Sequence, residues 1–282
     1  MNRREEVRKL LGMSVEELIK ESRGRLEVLP TLDDLHNHLA ESIANEIEEN
    51  NKKGRPTRLI LPVGPTGQYP ILKDLIRERK ISLKNCYFFF MDEYCDDNGY
   101  ALPKDHPLSF KGTMDKLFFK HIDPELNIPE NQVIFPDHLN IQKLREKIAE
   151  VGGIDTCYGG IGIHGHVAFN EPEDNIKNSE PRLVYLNAYT ITINAIRDEV
   201  GGNLINFPRK AVTLGMRQIM SARRIRLYCR NDVPTLDWAN TVLRLAVLGE
   251  PGDDYPVTYL REHRDYKVIT DQNTAKKPRY IL

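Results

Sequence analysis

No stretch of the 282-residue chain approaches the roughly 20 apolar residues that a membrane-spanning helix needs. Cysteine is scarce as well. The four present, Cys86, Cys95, Cys157 and Cys229, form no C-x-x-C pair, so neither a zinc knuckle nor a dithiol redox motif is supported. The first residues, MNRREEVRKLLG, are charged where a signal peptide would carry an apolar core. Unpaired cysteines without an export signal lead to the expectation of a reducing, cytoplasmic setting. An excess of one charge is also lacking. Forty Lys and Arg face 41 Asp and Glu, for a net charge of −1 and a pI near 6.7. Nucleic acid is therefore not expected as a partner, and neither is a membrane. The short basic runs at Arg223, Arg224 and Arg226, and at Lys276, Lys277 and Arg279, read as solvated surface. Repeats, low-complexity tracts and linker-like segments are missing too. The expectation is one domain over 1–282, with 1–30 a helical N-terminal extension.

What is present alternates. Residues 1–24 read as charged and helical, with Ser14 and Glu17 spaced for a capping box. Residues 31–50 carry Leu32, Leu35, Leu39, Ile43 and Ile47 on one helical face. The run 58-RLILPV-63 ends in 64-GPTGQYP-70, and a helix follows over about 71–79. Next come 86-CYFFFM-91, which breaks at 92-DEY-94, a helix near 113–121, and another over 140–150. The segment 154-IDTCYGGIG-162 reads as a strand running into a glycine turn. Strand character is expected for 183–193, 224–229 and 266–270, and helix for about 234–248. Apolar strands alternating with helices predict a doubly wound, mostly parallel α/β sheet with helices on both faces, Rossmann-like in type.

Ligands of such folds bind outside the carboxyl ends of the strands. Three predicted strand ends carry unusual residues: 64-GPTG-67, 92-DEY-94 and 159-GGIGIHGH-166. Gly64, Pro65, Thr66 and Gly67 fit an anion cradle at a helix N-terminus, or a plain turn. Asp92 and Glu93 follow Phe88, Phe89 and Phe90. A carboxylate there is partly desolvated and suited to proton abstraction, or it caps the next turn. His164 and His166 would share one face if the segment were extended, as a metal pair requires. The glycines around them speak against that, and in favour of one histidine acting as a general acid oriented by Glu171. A second H-x-H pair, His36 and His38, lies in a predicted helix, where a two-residue step of about 200° separates the side chains.

Together, 59-LILPVGPTG-67, 90-FMDEYCDDNGYALPKDHPLSF-110 and 158-YGGIGIHGHVAFNEP-172 resemble the glucosamine-6-phosphate deaminase/isomerase family. Weaker matches at 212–225 and 258–263 extend the likeness over roughly residues 30–275. The resemblance implies conversion of an amino-sugar 6-phosphate to a ketose 6-phosphate and ammonia, with no metal and no organic cofactor. It implies that Asp92 moves a proton between C2 and C1. His166 would help open the pyranose ring, and Glu171 would hold and tune that histidine. Gly64 and Thr66 would sit at the phosphate, with Pro65, Gly67, Glu93 and Arg197 counted among the substrate-binding residues. Lys104 and His106 match a segment packed near the site.

The departures are as specific as the matches. His164 stands where the family has an aspartate, so a neighbouring charge would change sign. Pro234 falls at the family's phosphate-binding lysine, and Arg230 is close but out of register. Pro65 removes one backbone donor from the cradle. Arg217 replaces a small residue and reads as able to reach inward. These departures leave other readings open: the same chemistry on a different sugar or one without a 6-phosphate, a non-catalytic sugar-phosphate sensor, or a metallohydrolase built on His164 and His166. Family members are often oligomers, so a homo-oligomer is an expectation from the resemblance alone.

Overall fold

A computed structural model describes residues 2–233 and 236–282. Among the described residues ten strands run in chain order: β1 (Leu26–Leu29), β2 (Thr57–Leu61), β3 (Cys86–Phe90), β4 (Asp92–Cys95), β5 (Val133–Ile134), β6 (Thr156–Gly160), β7 (Arg182–Tyr185), β8 (Lys210–Thr213), β9 (Arg224–Cys229) and β10 (Tyr266–Asp271). Seven form one sheet in the order β1-β10-β9-β6-β2-β3-β5. Every pairing in it is parallel. Three form a second sheet, β4-β8-β7, which is antiparallel.

The side-chain period of two sorts the large sheet's residues to its two faces. Leu59, Leu61, Phe88, Phe90, Tyr158 and Tyr228 point to one buried layer, where helix Leu32–Lys52 places Leu35, Leu39, Ile43 and Ile47. Ile60, Phe89, Cys157, Leu227 and Val268 point to the other, beneath helix Asn240–Leu248. A sheet buried on both sides reads in sequence as continuous apolar runs, which is why LILPV and CYFFFM are legible as strands. A third cluster, including Tyr94, Phe169, Ala195, Phe207 and Ala211, lies beside the small sheet and helix Ala188–Arg197. The capping boxes at Ser14 and Thr31 are both formed. All four cysteines are buried and free. Among the described residues no helix is long and apolar enough to cross a membrane.

Four elements differ from the sequence expectations. The helical N-terminus is present, but Leu26–Leu29 within the expected extension is an edge strand of the main sheet, with Leu26 opposite Val268. Residues 183–193 are not one strand. β7 ends at Tyr185, and Asn187 caps a helix by accepting from the Tyr189 and Thr190 amides. The acid after the aromatic strand begins a new strand in the other sheet. Met91 joins the two, its amide donating to Leu61 and its carbonyl accepting from Leu214. The helix expected from about 234 is observed over Asn240–Leu248.

Chain order locates the crevice. From β2 the chain adds β3 and β5 on one side, then β6, β9 and β10 on the other. The direction of winding therefore reverses between β2 and β6. A reversal of this kind leaves a gap at the carboxyl ends of the two strands, because their following connections leave in opposite directions.

Candidate active site

A cavity of about 150 Å³ fills that gap. The ends of four adjacent strands wall it: Pro62 to Gly64 after β2, Met91 and Asp92 after β3, Gly160 to Gly162 at the end of β6, and Arg230 after β9. The loop following β6 adds His166 and Phe169. Helix Ala188–Arg197 adds Asn194 and Arg197. Wider grooves of about 590 and 470 Å³ open at the opposite end of the strands. Their arginines are largely engaged already, with Arg58 on Asp155 and Arg224 on Glu46.

Asp92 is 8% exposed. Its carboxylate makes no hydrogen bond to a described residue, although its side chain borders the cavity. Burial holds it well above the ordinary aspartate range, and the charge of Glu93 adds to the rise. A carboxylate kept from water and from donors is a strong base once ionised.

Glu93 points elsewhere. Its two oxygens accept from the amides of Tyr94, Phe110 and Lys111 and from the Ser109 hydroxyl. It thereby fastens β4 to the first turn of helix Phe110–Leu117, whose orphan amides need acceptors. Burial still lifts it to about 7 against those four bonds. Grouped in sequence with the substrate-binding residues, it does not border the cavity.

His166 is 7% exposed and does border it. The imidazole lies against Gly162. A Cβ on that glycine would come within 1.9 Å of Nε2, so no side chain fits there. Gly165, at φ +67°, turns the loop so that the ring comes back over Gly162. Burial lowers His166 to about 3, with the charges of Arg197 and His164 adding to the fall. It is a neutral imidazole at physiological pH.

His164 and Glu171 lie behind this wall rather than in it. His164 Nδ1 is 3.1 Å from the Asn187 side-chain amide, and its ring packs at 4.3 Å on Tyr189. Burial lowers its pKa, so the cation suggested by sequence for this position is disfavoured. The two rings of the H-x-H motif thus do different things. Glu171 accepts from the Asn187 amide at 2.8 Å, and burial raises its pKa. No hydrogen bond joins it to His166. His166 Nδ1 and Glu171 Oε1 are both buried and both unpartnered.

The loop 64–67 contributes Gly64 to the cavity wall. Pro65, Thr66 and Gly67 stand behind it, and Gly67 is pressed against the His36 ring. His38, two residues on, instead meets the Tyr228 hydroxyl at 3.0 Å, as the helical step requires. Arg197 borders the cavity, stacks over Trp238 at 4.6 Å, and gives Nε and Nη2 to Asp232 Oδ1. Arg217 does not reach inward. It pairs with Glu180 at the surface, because helix Met216–Met220 directs it outward. Lys104 pairs with Asp115, and the His106 ring accepts from the Leu108 amide. Pro234 lies outside the described residues.

Sequence reasoning missed Asp232, Asn194 and Tyr94. Tyr94 is buried and receives the Asn194 side-chain amide on its hydroxyl at 2.9 Å. The pairing of Tyr94 with Asn194 is not visible in sequence because 100 residues separate them. Asp232, just past the end of β9, is a findable strand-end acid.

One strand ties Asp92 to the loop bearing His166. In the small sheet Asp92 stands opposite Thr213. The Thr213 hydroxyl accepts from the Phe169 amide at 3.1 Å, and the Leu214 carbonyl accepts from Asn170 at 2.8 Å. Asp92 and the loop bearing His166 therefore share β8 as a common mount.

No family model matches the chain. It is 36% identical over 259 residues to a glucosamine-6-phosphate deaminase of Borrelia garinii subsp. bavariensis, covering 89% of this chain and 91% of that one. Among solved structures it is similar to a monomeric glucosamine-6-phosphate deaminase, with a TM-score of 0.77 at 26% identity over 89% of this chain and 98% of that one. The 6-phosphogluconolactonase of Leishmania guyanensis shares the fold, with a TM-score of 0.64 at 17% identity over 88% of this chain and 96% of that one.

Proposed function

Because the chain belongs to the glucosamine-6-phosphate deaminase family, as its identity to relatives over nine-tenths of their length shows, we propose that it converts glucosamine 6-phosphate to a ketose 6-phosphate and ammonia. The observation that carries this reading is the convergence of a donor-free, buried Asp92 and a neutral His166 on one cavity that also receives Arg197.

Ring opening comes first, because a closed pyranose has no carbonyl or imine to acidify its C2 hydrogen. In our reading a neutral His166 takes the proton of the C1 hydroxyl and returns one to the ring oxygen. Starting as an acceptor follows from its depressed pKa. A bound phosphate offsets the charge of Arg197 and so makes His166 a better acceptor when substrate is present. Asp92 then removes the C2 proton and delivers it to C1, which leaves an iminium at C2; a water molecule adds to that carbon, and the C2–N bond breaks to give the ketone and ammonia. One carboxylate serves both atoms if it faces one side of the opened chain. Glu171 helps hold the loop of His166 through the Asn187 amide. Gly64 and Arg197 face the phosphate. The ligand is a small sugar phosphate, the whole chain serves as one catalytic unit, and the setting is the cytoplasm, in keeping with four free, buried cysteines.

An ammonia-release assay across phosphorylated and free amino sugars tests the proposal. Turnover is expected with glucosamine 6-phosphate above all others. Preference for a different sugar, or ligand-induced stabilisation without ammonia, would refute it.

A further inference from the structure

The run Arg223, Arg224 and Arg226 reads in sequence as solvated surface. In the fold it stands at the amino end of β9, beside other arginines. The amino ends of β10, β9, β6 and β2, four neighbours in the large sheet, converge on the groove of about 590 Å³. Arg264 comes just before β10. Arg223 precedes β9 and Arg224 opens it. Arg55 and Arg58 flank Thr57, the first residue of β2. These five arginines line the groove against three acids, Glu46, Asp155 and Asp265. The whole chain has a net charge of −1, so positive charge is gathered here rather than spread.

Part of that charge is structural. Helices Leu32–Lys52 and Leu144–Glu150 both end at this side of the sheet, and helix carboxyl ends favour cations. Arg58 answers the second helix. It gives Nη1 to the Val151 and Gly152 carbonyls, and Nε and Nη2 to Asp155. Arg224 gives Nη2 to Glu46 and Nε to the Thr156 hydroxyl. Glu46 also accepts from the Thr156 and Tyr158 hydroxyls. Asp265 is taken at 2.7 Å by Arg226, from the adjoining groove. Each acid of the groove is therefore committed to a fixed arginine.

Arg55 and Arg264 have no such part. Both are exposed, and neither side chain makes a hydrogen bond or ion pair among the described residues. Arg223, 61% exposed, reaches only Asp155 Oδ1, at 3.3 Å, and Arg58 already holds that oxygen. Three guanidinium groups thus face one concave surface whose carboxylates are occupied. A cleft lined by one sign of charge concentrates small ions of the other. The lining also selects among anions. It has no aromatic ring, and Pro56 is its one apolar residue. Nothing there can stack on a nucleobase, so recognition is by charge and hydrogen bonds alone.

We infer that this amino-end groove binds a compact polyanion with at least two phosphoryl groups, of the pyrophosphate class, through Arg55, Arg223 and Arg264. Paired phosphate oxygens match the planar guanidinium fork, and a second phosphoryl group lets more than one fork be filled at once. Arg58 and Arg224, pinned by Asp155 and Glu46, form the fixed floor beneath. The groove lies at the opposite end of the strands from the catalytic cavity, so it takes its ligand independently of the proposed deamination.

Calorimetry with pyrophosphate on the full-length protein tests this. Wild type is compared with Arg55→Gln/Arg264→Gln and with Arg145→Gln/Arg217→Gln. The second pair removes the same charge from a different surface, where both arginines meet Glu180. The expected result is a binding event in wild type and in the Arg145/Arg217 control that the groove variant weakens by about tenfold or more. The groove variant should keep the wild-type kcat and KM for glucosamine 6-phosphate. Equal affinity in all three proteins would overturn the inference, because the ligand would then sit elsewhere. An equal loss in both variants would also overturn it, because the attraction would then be one of overall charge. Groove binding in a protein that releases no ammonia would refute the proposed reaction and leave this site standing.

Discussion

A histidine held neutral by burial makes folding stability depend on pH in a way that can be calculated. His166 has an ordinary value of 6.5 when unfolded and about 3 when folded. Between those values the unfolded chain binds the proton and the folded chain does not. Stability is therefore intact above about 6.5 and is lost progressively as pH falls toward 3. At about pH 4.5 the unfolded imidazole is protonated with a factor of roughly 100, and at about 1.36 kcal/mol per unit this costs about 2.7 kcal/mol. The unfolded value sets the figure, because at this pH the folded ring is still neutral. His166→Gln removes the titration. Urea unfolding of both proteins at about pH 7 and about pH 4.5 gives the comparison, and the other histidines and the carboxylates cancel between them. Wild type should lose about 2.7 kcal/mol more than the variant. Parallel losses in the two proteins would show that His166 is not buried as a neutral ring, and its role as a proton acceptor would fall with that.

Asp92→Asn should lower kcat by about 100-fold or more. It should leave the protein at least as stable near neutral pH, because stability associated with a raised carboxyl is lost as pH rises through its folded value; a destabilised variant counts against the burial argument. The wild-type rate should fall on the acid side as Asp92 takes up its proton. Glu93→Gln trades an acceptor oxygen for a donating amide NH2 where four donors converge, and should cost about 2–4 kcal/mol in chemical denaturation, with substrate affinity retained in whatever remains folded. Gly162→Ala should displace the His166 ring and reduce kcat more than it raises KM, with far-ultraviolet circular dichroism unchanged; full activity would mean that the ring is free to move.

Sequence reading locates the large sheet because buried parallel strands are written as apolar runs, and the helix over 32–52 because Leu35, Leu39, Ile43 and Ile47 recur at helical spacing. It locates four residues that border the cavity, Asp92, His166, Gly64 and Arg197, because each stands at or near an element's end. It does less well where local propensity and tertiary pairing disagree. The β-branched residues of 183–193 suggest strand, whereas Asn187 satisfies the first helical amides and turns the same residues into helix. Leu26–Leu29 is invisible as a strand because four residues at a sheet edge carry no period. Glu93 looks chemical beside Asp92, yet alternation sends neighbouring side chains of a strand to opposite faces, one to the cavity and one to a helix terminus. That Asp232 accepts from both Arg230 and Arg197 needs three dimensions.

The common mount of Asp92 and the His166 loop on β8 has a consequence for how the protein is made. Thr213 leaves the ribosome more than a hundred residues after Asp92, and Arg230 later still. A nascent chain ending between Glu171 and Thr213 carries Asp92, His166 and Glu171 but has no rung on which to set them. The cavity wall that joins Asp92 to the His166 loop therefore cannot be completed before β8 is synthesised. In the folded sheet β8 lies between β4 and β7, so neither can complete its pairing before β8 is made. Truncated products, including those ending well past Glu171, should be inert toward substrate even where the N-terminal half of the large sheet has formed.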